Sequence, residues 1–333
     1  MATIDKQYLY SIGRVKELEK GLLIQTHLAR ILEAENPLAV LRSLGFFRTS
    51  DDHERQESID ELFERERKQN RTLLHELIAE SPLEDVFLLP FDFENIKLYV
   101  KAKLTGNAAL KDLALEEGKF RKQHLFQAIF ENTSTDIPAV IMDDIKAITE
   151  EFQTNQRFAP IDARLHWRLR TLQLDLARRA KSAFLVEYLQ RLSDTQNIST
   201  TFRRKFHQLG RETLAAMLLD TGTLAPGFFE RVYDGGWESL AAAFRPTPYG
   251  ELAAAAIADL RPETFLPTLD VLCANFMLGF LRTTKQMSTG IEPILAFYLA
   301  REQELRMVQT ILAGKRFGYA QDNIQQRMRE LYS

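Results

Sequence analysis

Apolar residues between Leu165 and Leu176 fall at 165, 169, 172 and 176, the 3.6-residue period of one helix face. The same spacing carries Ile294, Leu295, Tyr298, Leu299, Leu305, Val308, Ile311 and Leu312 near the end of the chain. Prolines at 37, 82, 90, 138, 160, 226, 246, 248, 262, 267 and 293 leave the intervals 91–137, 161–225 and 294–333 free of the residue that most strongly breaks helices. Alternating β-branched runs closed by Asn-Gly or Asp-Gly turns are scarce, so the pattern predicts an all-α fold. Ser81-Pro82-Leu83-Glu84 reads as a capped helix start. Gly106, Gly210 and Gly318 read as helix ends that need a left-handed residue. The glycine- and proline-rich stretch 222–250 reads as an irregular connector. The most apolar window, Phe265 to Leu281, contains Pro267, Asp270 and Asn275 and falls short of the ~20 residues that span a bilayer. It reads as a buried core helix, with no direct membrane span.

The long helical patterns resemble one another. Residues 92–103 and 194–205 share Asp92/Asp194, Asn95/Asn197, Ile96/Ile198 and Lys103/Lys205. A third copy at 304–315 keeps the acid as Glu304, the lysine as Lys315 and a glycine, Gly318, opposite Gly106, but puts Met307 where the others have asparagine. Phe184–Leu189 parallels Ile294–Leu299, with each tyrosine six residues before its acid. Steps of 102 and 110 residues imply three related helical units of about 105 residues, drawn as 1–110, 111–215 and 216–333. A residue type that recurs in every unit fits a framework hydrogen bond or cap better than a catalytic group.

Charge and composition narrow the function. The 333 residues hold 43 Lys plus Arg against 46 Asp plus Glu, a net charge of −3, so no sequence-wide basic field draws nucleic acid. Residues 161–210 are net +6 and residues 51–95 net −9, a polarity able to orient a charged partner. The single Cys273 excludes an internal disulfide. The first seven residues lack the charged-then-apolar pattern of an export signal.

Catalytic motifs are missing. No Gly-x-x-x-x-Gly-Lys-Ser/Thr loop is present, and Gly314–Gly318 lacks its upstream glycine and its hydroxyl. The six histidines include no i, i+4 pair, and His75-Glu76 is followed by Ala79 where a zinc helix needs a second ligand. Asp143-Asp144 could open an acid-rich magnesium motif, yet the run continues Ile-Lys-Ala-Ile-Thr, which reads as solvated helix charge. No cofactor or metal is expected.

Blocks across the chain resemble the C-subunit family of V-type/A-type ATP synthases, the counterpart of the d subunit of eukaryotic V-ATPases. They are Tyr8–Lys16 with Leu22-Leu23, Phe93–Gly106, Phe184–Tyr188 with Asp194 and Asn197-Ile198, Glu292–Arg306 and Ile311–Gly318. Segments 107–160 and 211–260 add little to the match. The resemblance implies three helical bundles arranged as a pseudo-threefold funnel without catalytic residues. It also implies a position on the cytoplasmic face of the membrane, held through the proteolipid ring and receiving the foot of a central stalk made of the D and F subunits. Asp92, Asn95, Lys103, Asp194, Asn197, Lys205, Glu304 and Lys315 would then be framework residues or line the socket. A generic all-helical interaction scaffold is the alternative.

Overall fold

The computed structural model of the 333-residue chain describes residues 8–47, 58–78, 81–133 and 136–333. The readings made on the first seven residues, and the part of the acidic stretch at 51–57, lie outside the described residues. Among the described residues, every regular element is helical. The order begins α1 (Leu9–Glu19), α2 (Gln25–Glu33), α3 (Pro37–Ser43), α4 (Ile59–Leu77) and α5 (Glu84–Thr105). It continues α6 (Lys122–Phe126), α7 (Ala139–Asn155), α8 (Ala159–Arg179), α9 (Ala183–Phe206), α10 (Pro226–Tyr233) and α11 (Trp237–Ala243). The last are α12 (Gly250–Ala256), α13 (Phe265–Arg282), α14 (Glu292–Arg316) and α15 (Gln321–Gln325).

The chain divides into two compact units. One joins Met1–Ser81 to Phe244–Ser333, and the other is Pro82–Ala243. In the first unit α14 packs against α4, α1, α2, α13 and α15, so the two ends of the chain share one core. Leu305, Val308, Ile311 and Leu312 of α14 are buried with Leu23, Leu28, Ile31 and Phe63 from the start of the chain. Each such side chain contributes about 1.5–3 kcal/mol through removal from water. In the second unit α8 packs against α5, α9 and α7. Phe93, Ile96 and Val100 of α5 meet Ile141, Ile148 and Leu165 there.

Several local expectations change. α5 starts at Glu84 with Leu83 before it and no side-chain cap, so Ser81 and Pro82 do not cap it as expected, and it runs on through Pro90. The proline removes the N–H that would bond the carbonyl of Val86, and the Gln173 side chain of α8 donates to that carbonyl at 2.7 Å. Gln173 is in turn held at 2.9 Å by the buried Arg170, whose pKa burial pushes down to about 10. The connector 222–250 contains α10 and α11, with Pro226 as the first residue of α10, where a proline costs nothing. Gly210 is extended, and the left-handed residue after α9 is Gln208, with φ 53°. Gly106 (φ 71°) and Gly318 (φ 70°) are left-handed as expected.

Helix α13 meets its expectation on one face. Phe265, Leu269, Met277, Leu278 and Leu281 are buried, while Leu266, Leu272 and Phe276 are half-buried. With the following turn to Gln286 it is long and apolar enough, by length and composition alone, to cross a membrane. It packs on α12 and α14.

Candidate functional site

Each of the three long repeated helices places an acid and a lysine eleven residues apart, three turns along one face. On α5, the fully buried Asp92 carboxylate accepts from the backbone N–H groups of Lys119 at 2.9 Å and Phe120 at 3.1 Å. Lys103, near the end of the same helix, donates to the carbonyl of Ile129. On α9, Asp194 accepts from the N–H of Thr223 at 2.9 Å, that of Leu224 at 3.0 Å, and the Thr223 hydroxyl at 2.5 Å. Lys205 donates to the carbonyls of Tyr233 at 2.8 Å and Gly235 at 2.5 Å. On α14, Glu304 accepts from the N–H of Leu23 at 2.6 Å, and Lys315 donates to the carbonyl of Leu32 at 2.5 Å.

The partner segments correspond residue by residue. Leu23, Phe120 and Leu224 each lie two residues before a short helix, α2, α6 or α10. Leu32, Ile129 and Tyr233, whose carbonyls take the lysines, each lie nine residues further on. The acid thus meets donors just before the short helix, and the lysine meets a carbonyl at the end of α2 or α10 and, after α6, in the π-helical turn Gln127–Glu131 that continues it, each charge opposite to the local end of the helix dipole.

Asn95 and Asn197 complete two of the clamps. Asn95 donates to the carbonyl of Leu115 at 2.9 Å and accepts from its N–H at 2.7 Å. Asn197 does the same with Leu219, at 2.7 and 2.8 Å. The equivalent residue of the third copy is Leu18, which lies inside α1, where its carbonyl receives Gly21 N–H at 3.0 Å. Backbone already does there what an asparagine does elsewhere, so Met307 fills the position and is buried.

These partners carry a signal that the long-helix repeat does not reveal: Leu-acid-x-Gly-x-apolar. It reads Leu18-Glu-Lys-Gly-Leu-Leu23, Leu115-Glu-Glu-Gly-Lys-Phe120 and Leu219-Asp-Thr-Gly-Thr-Leu224. The glycine has a steric reason in two copies. A Cβ at Gly118 would overlap the Asp92 carboxylate, and one at Gly222 the Asp194 carboxylate. At Gly21 the nearest atom to such a Cβ is the Leu18 carbonyl oxygen at 3.4 Å, and Glu304 is not among the close neighbours.

Burial dominates the electrostatics of two of these acids. It pushes Asp92 up to about 7 against the lowering effect of the Phe120 and Lys119 N–H groups. It likewise pushes Glu304 up to about 7, against the lowering effects of Arg301 and the Leu23 N–H. Arg301 sits between Glu304 at 3.0 Å and Glu66 at 3.1 Å. All eight residues singled out from the sequence have their polar groups engaged with backbone or side chains of their own unit.

The Asp143-Asp144 pair has a different setting. Asp144 is buried and bonded by Arg164 at 2.8 Å and by Arg168, while Asp143 is exposed. Among the described residues no group of three or more His, Cys, Asp or Glu side chains could hold a metal ion.

Comparison with known proteins places these features in a family. The family model described as ATP synthase (C/AC39) subunit matches residues 11–327, which include all three clamps. The C subunit of the V-type sodium ATPase of Enterococcus hirae is 24% identical over 280 residues, covering 83% of this chain and 84% of that protein.

Proposed function

The chain belongs to the ATP synthase (C/AC39) subunit family, and on that premise we propose that it is the non-catalytic spacer of a V/A-type rotary ATPase. It couples the D and F subunits of the central stalk to the membrane proteolipid ring and passes torque between ATP turnover and ion transport. It sits peripherally on the cytoplasmic face, held through the ring. The ion, H+ or Na+, is selected by the ring and not by this spacer.

The observation that carries this reading is the threefold recurrence of one clamp. A torque-bearing spacer has to resist sliding of one helix along another, and a partner gripped at both ends by opposite charges resists it. Three such clamps are what three related helical units would share. The repeat unit is a long helix with the short helix it grips: α5 with residues 115–131, α9 with 219–233, and α14 with 18–33. On this reading the unit boundaries fall away from 110 and 215, and the beginning of the chain closes the third unit. The eight clamp residues serve as framework and not as socket lining, because their polar atoms are already spent. The same saturation argues against catalysis by these acids, since a carboxylate fixed by backbone donors is poorly placed to shuttle protons.

Calorimetric titration with a purified D–F heterodimer from the same source tests the coupling role. Saturable one-to-one binding is expected, weaker at the higher of two salt concentrations. A flat titration with both components folded would remove the stalk-coupling role and leave the generic helical scaffold.

A further inference from the structure

The first unit contains a cavity of about 210 Å³ bordered by α1, α4 and α14, and nothing in the rotor reading uses it. Its apolar wall is Leu18, Leu73 and Phe297. Its polar wall is unbalanced. Arg301 is the single cation among the lining residues, and its guanidinium is already committed. It donates to Glu304 at 3.0 Å, to the Phe46 carbonyl at 2.9 Å and to Glu66 at 3.1 Å, and it lies 4.3 Å from the centroid of the Phe46 ring. The Asn70 amide nitrogen is committed too, to Glu302 at 2.8 Å. An anion entering this cavity would find no charged donor to spare.

One buried acceptor is left over instead. Among the described residues, the fully buried Gln69 Oε1 atom has no hydrogen-bond partner. A buried acceptor left unpaired costs about 1–3 kcal/mol, so a donor arriving beside it recovers that penalty. Two carboxylates line the same space and add negative field to it: Glu66, which already accepts from Arg301 at 3.1 Å, and Glu17. Glu66 lies within the buried interior, and Glu17, 73% exposed and paired with Lys20, stands on the solvent side.

We propose that this cavity binds one alkylguanidinium or alkylammonium group. The cationic head would donate to Gln69 Oε1 between Glu17 and Glu66, and the alkyl chain would lie against Leu18, Leu73 and Phe297. The lining comes from 17–73 on one side and from Phe297 and Arg301 on the other, so an occupant bridges the two ends of the chain. Binding therefore stabilises the first unit by mass action. This inference does not depend on the rotor reading. The same chemistry is offered by a free polyamine and by a lysine or arginine side chain of a neighbouring protein in the assembly.

Titration of the full chain with butylguanidinium, at ionic strength matched with sodium chloride, tests it. Saturable binding and a rise in the thermal midpoint are expected, with neither produced by the uncharged analogue butylurea. Gln69→Met keeps the fold, because it removes an unpaired acceptor, and it weakens butylguanidinium at least about tenfold. Glu17→Gln, at an exposed position, weakens it less. Absence of saturable binding, equal binding of butylurea, or undiminished binding to Gln69→Met would each overturn the proposal. Repeating the titration on the assembled complex separates the sources. Loss of the probe site there assigns it to a neighbour's basic side chain, and retention assigns it to a free cation.

Discussion

The clamps on α9 and α14 reach the same end by different chemistry. On α9 a short acid, Asp194, meets two backbone N–H groups and a hydroxyl, with Gly222 leaving room for its carboxylate. An asparagine, Asn197, then ties the preceding loop through Leu219. On α14 a longer acid, Glu304, meets one N–H and shares its charge with Arg301, and no asparagine is present. The partner of α9 is an irregular loop, whose backbone groups need side chains to satisfy them. The partner of α14 begins inside a helix, which satisfies its own. Chain connectivity differs as well: Asp194 and Thr223 are 29 residues apart, Glu304 and Leu23 are 281 apart. One clamp closes a short local loop, and the other joins the two ends of the chain.

Alanine at the repeated glycine breaks this comparison most sharply. At Gly222 the new Cβ displaces a carboxylate that is buried and held by three donors, so Gly222→Ala should lose about 3 kcal/mol or more. Gly118→Ala should do the same and adds backbone strain, because Gly118 has φ 146°. Gly21→Ala meets only a carbonyl at van der Waals distance and should cost less than about 1 kcal/mol. Urea melts of the three variants check the order. Equal losses at all three positions would mean that the glycine serves some purpose other than making room for the acid.

The halves of each clamp were unequally legible in the amino-acid sequence. The acid and lysine lie on continuous helices, where a fixed register of eleven residues survives drift at the other positions, so Asp92, Asp194 and Glu304 could be aligned by inspection. Their partners lie on a six-residue motif at a turn, where four positions are loosely constrained. The copy belonging to α14 sits at 18–23, ahead of its helix, so a search by constant forward steps passes over it. Pro90 could not be interpreted from the sequence for a related reason. A proline marks a helix end only when nothing else satisfies the carbonyl it abandons, and here Gln173 does so from another helix. The engagement of the eight candidate residues became visible only in the folded chain, because hydrogen bonds to main chain leave no pattern in side-chain identity at the acceptor.

The pH dependence of stability sharpens the contrast further. A carboxyl whose native pKa lies above its unfolded value holds a proton that unfolding releases, so the folded state loses stability as pH rises between the two values. Glu304, pushed up to about 7 by burial from a reference of 4.5, should therefore cost the first unit on the order of 3 kcal/mol between about pH 4.5 and 7. Glu304→Gln mimics the protonated form. The difference in stability between wild type and this variant, measured by denaturant melts, should fall through that window and level off above it. A difference that rises instead would mean that Arg301 outweighs desolvation.

The lysine ends should differ by less. Lys205 donates to two carbonyls and lies 5.6 Å from the ring centroids of Tyr233 and Trp237, whereas Lys315 donates to one carbonyl. Lys205→Met should cost about 2 kcal/mol and Lys315→Met about 1 kcal/mol in urea melts. The reverse order would show that closure between chain ends leans on its lysine more than local closure does.

The smallest effect has the opposite sign. Gly106, Gln208 and Gly318 occupy the same place, three residues after Lys103, Lys205 and Lys315, and all three are left-handed, with φ of 71°, 53° and 70°. Glycine adopts that conformation without penalty, whereas a residue with a Cβ is strained by it. The helix on α9 still ends there, because Leu209 N–H reaches back to the Arg204 carbonyl at 3.0 Å, as Tyr319 N–H does to Gly314 at 2.9 Å. Gln208→Gly should therefore stabilise the protein by about 0.5–1 kcal/mol, seen as a higher urea midpoint with an unchanged slope. The gain is limited because glycine also loosens the unfolded chain. A loss of stability would mean that the Gln208 side chain makes a compensating contact which the two glycine copies do without.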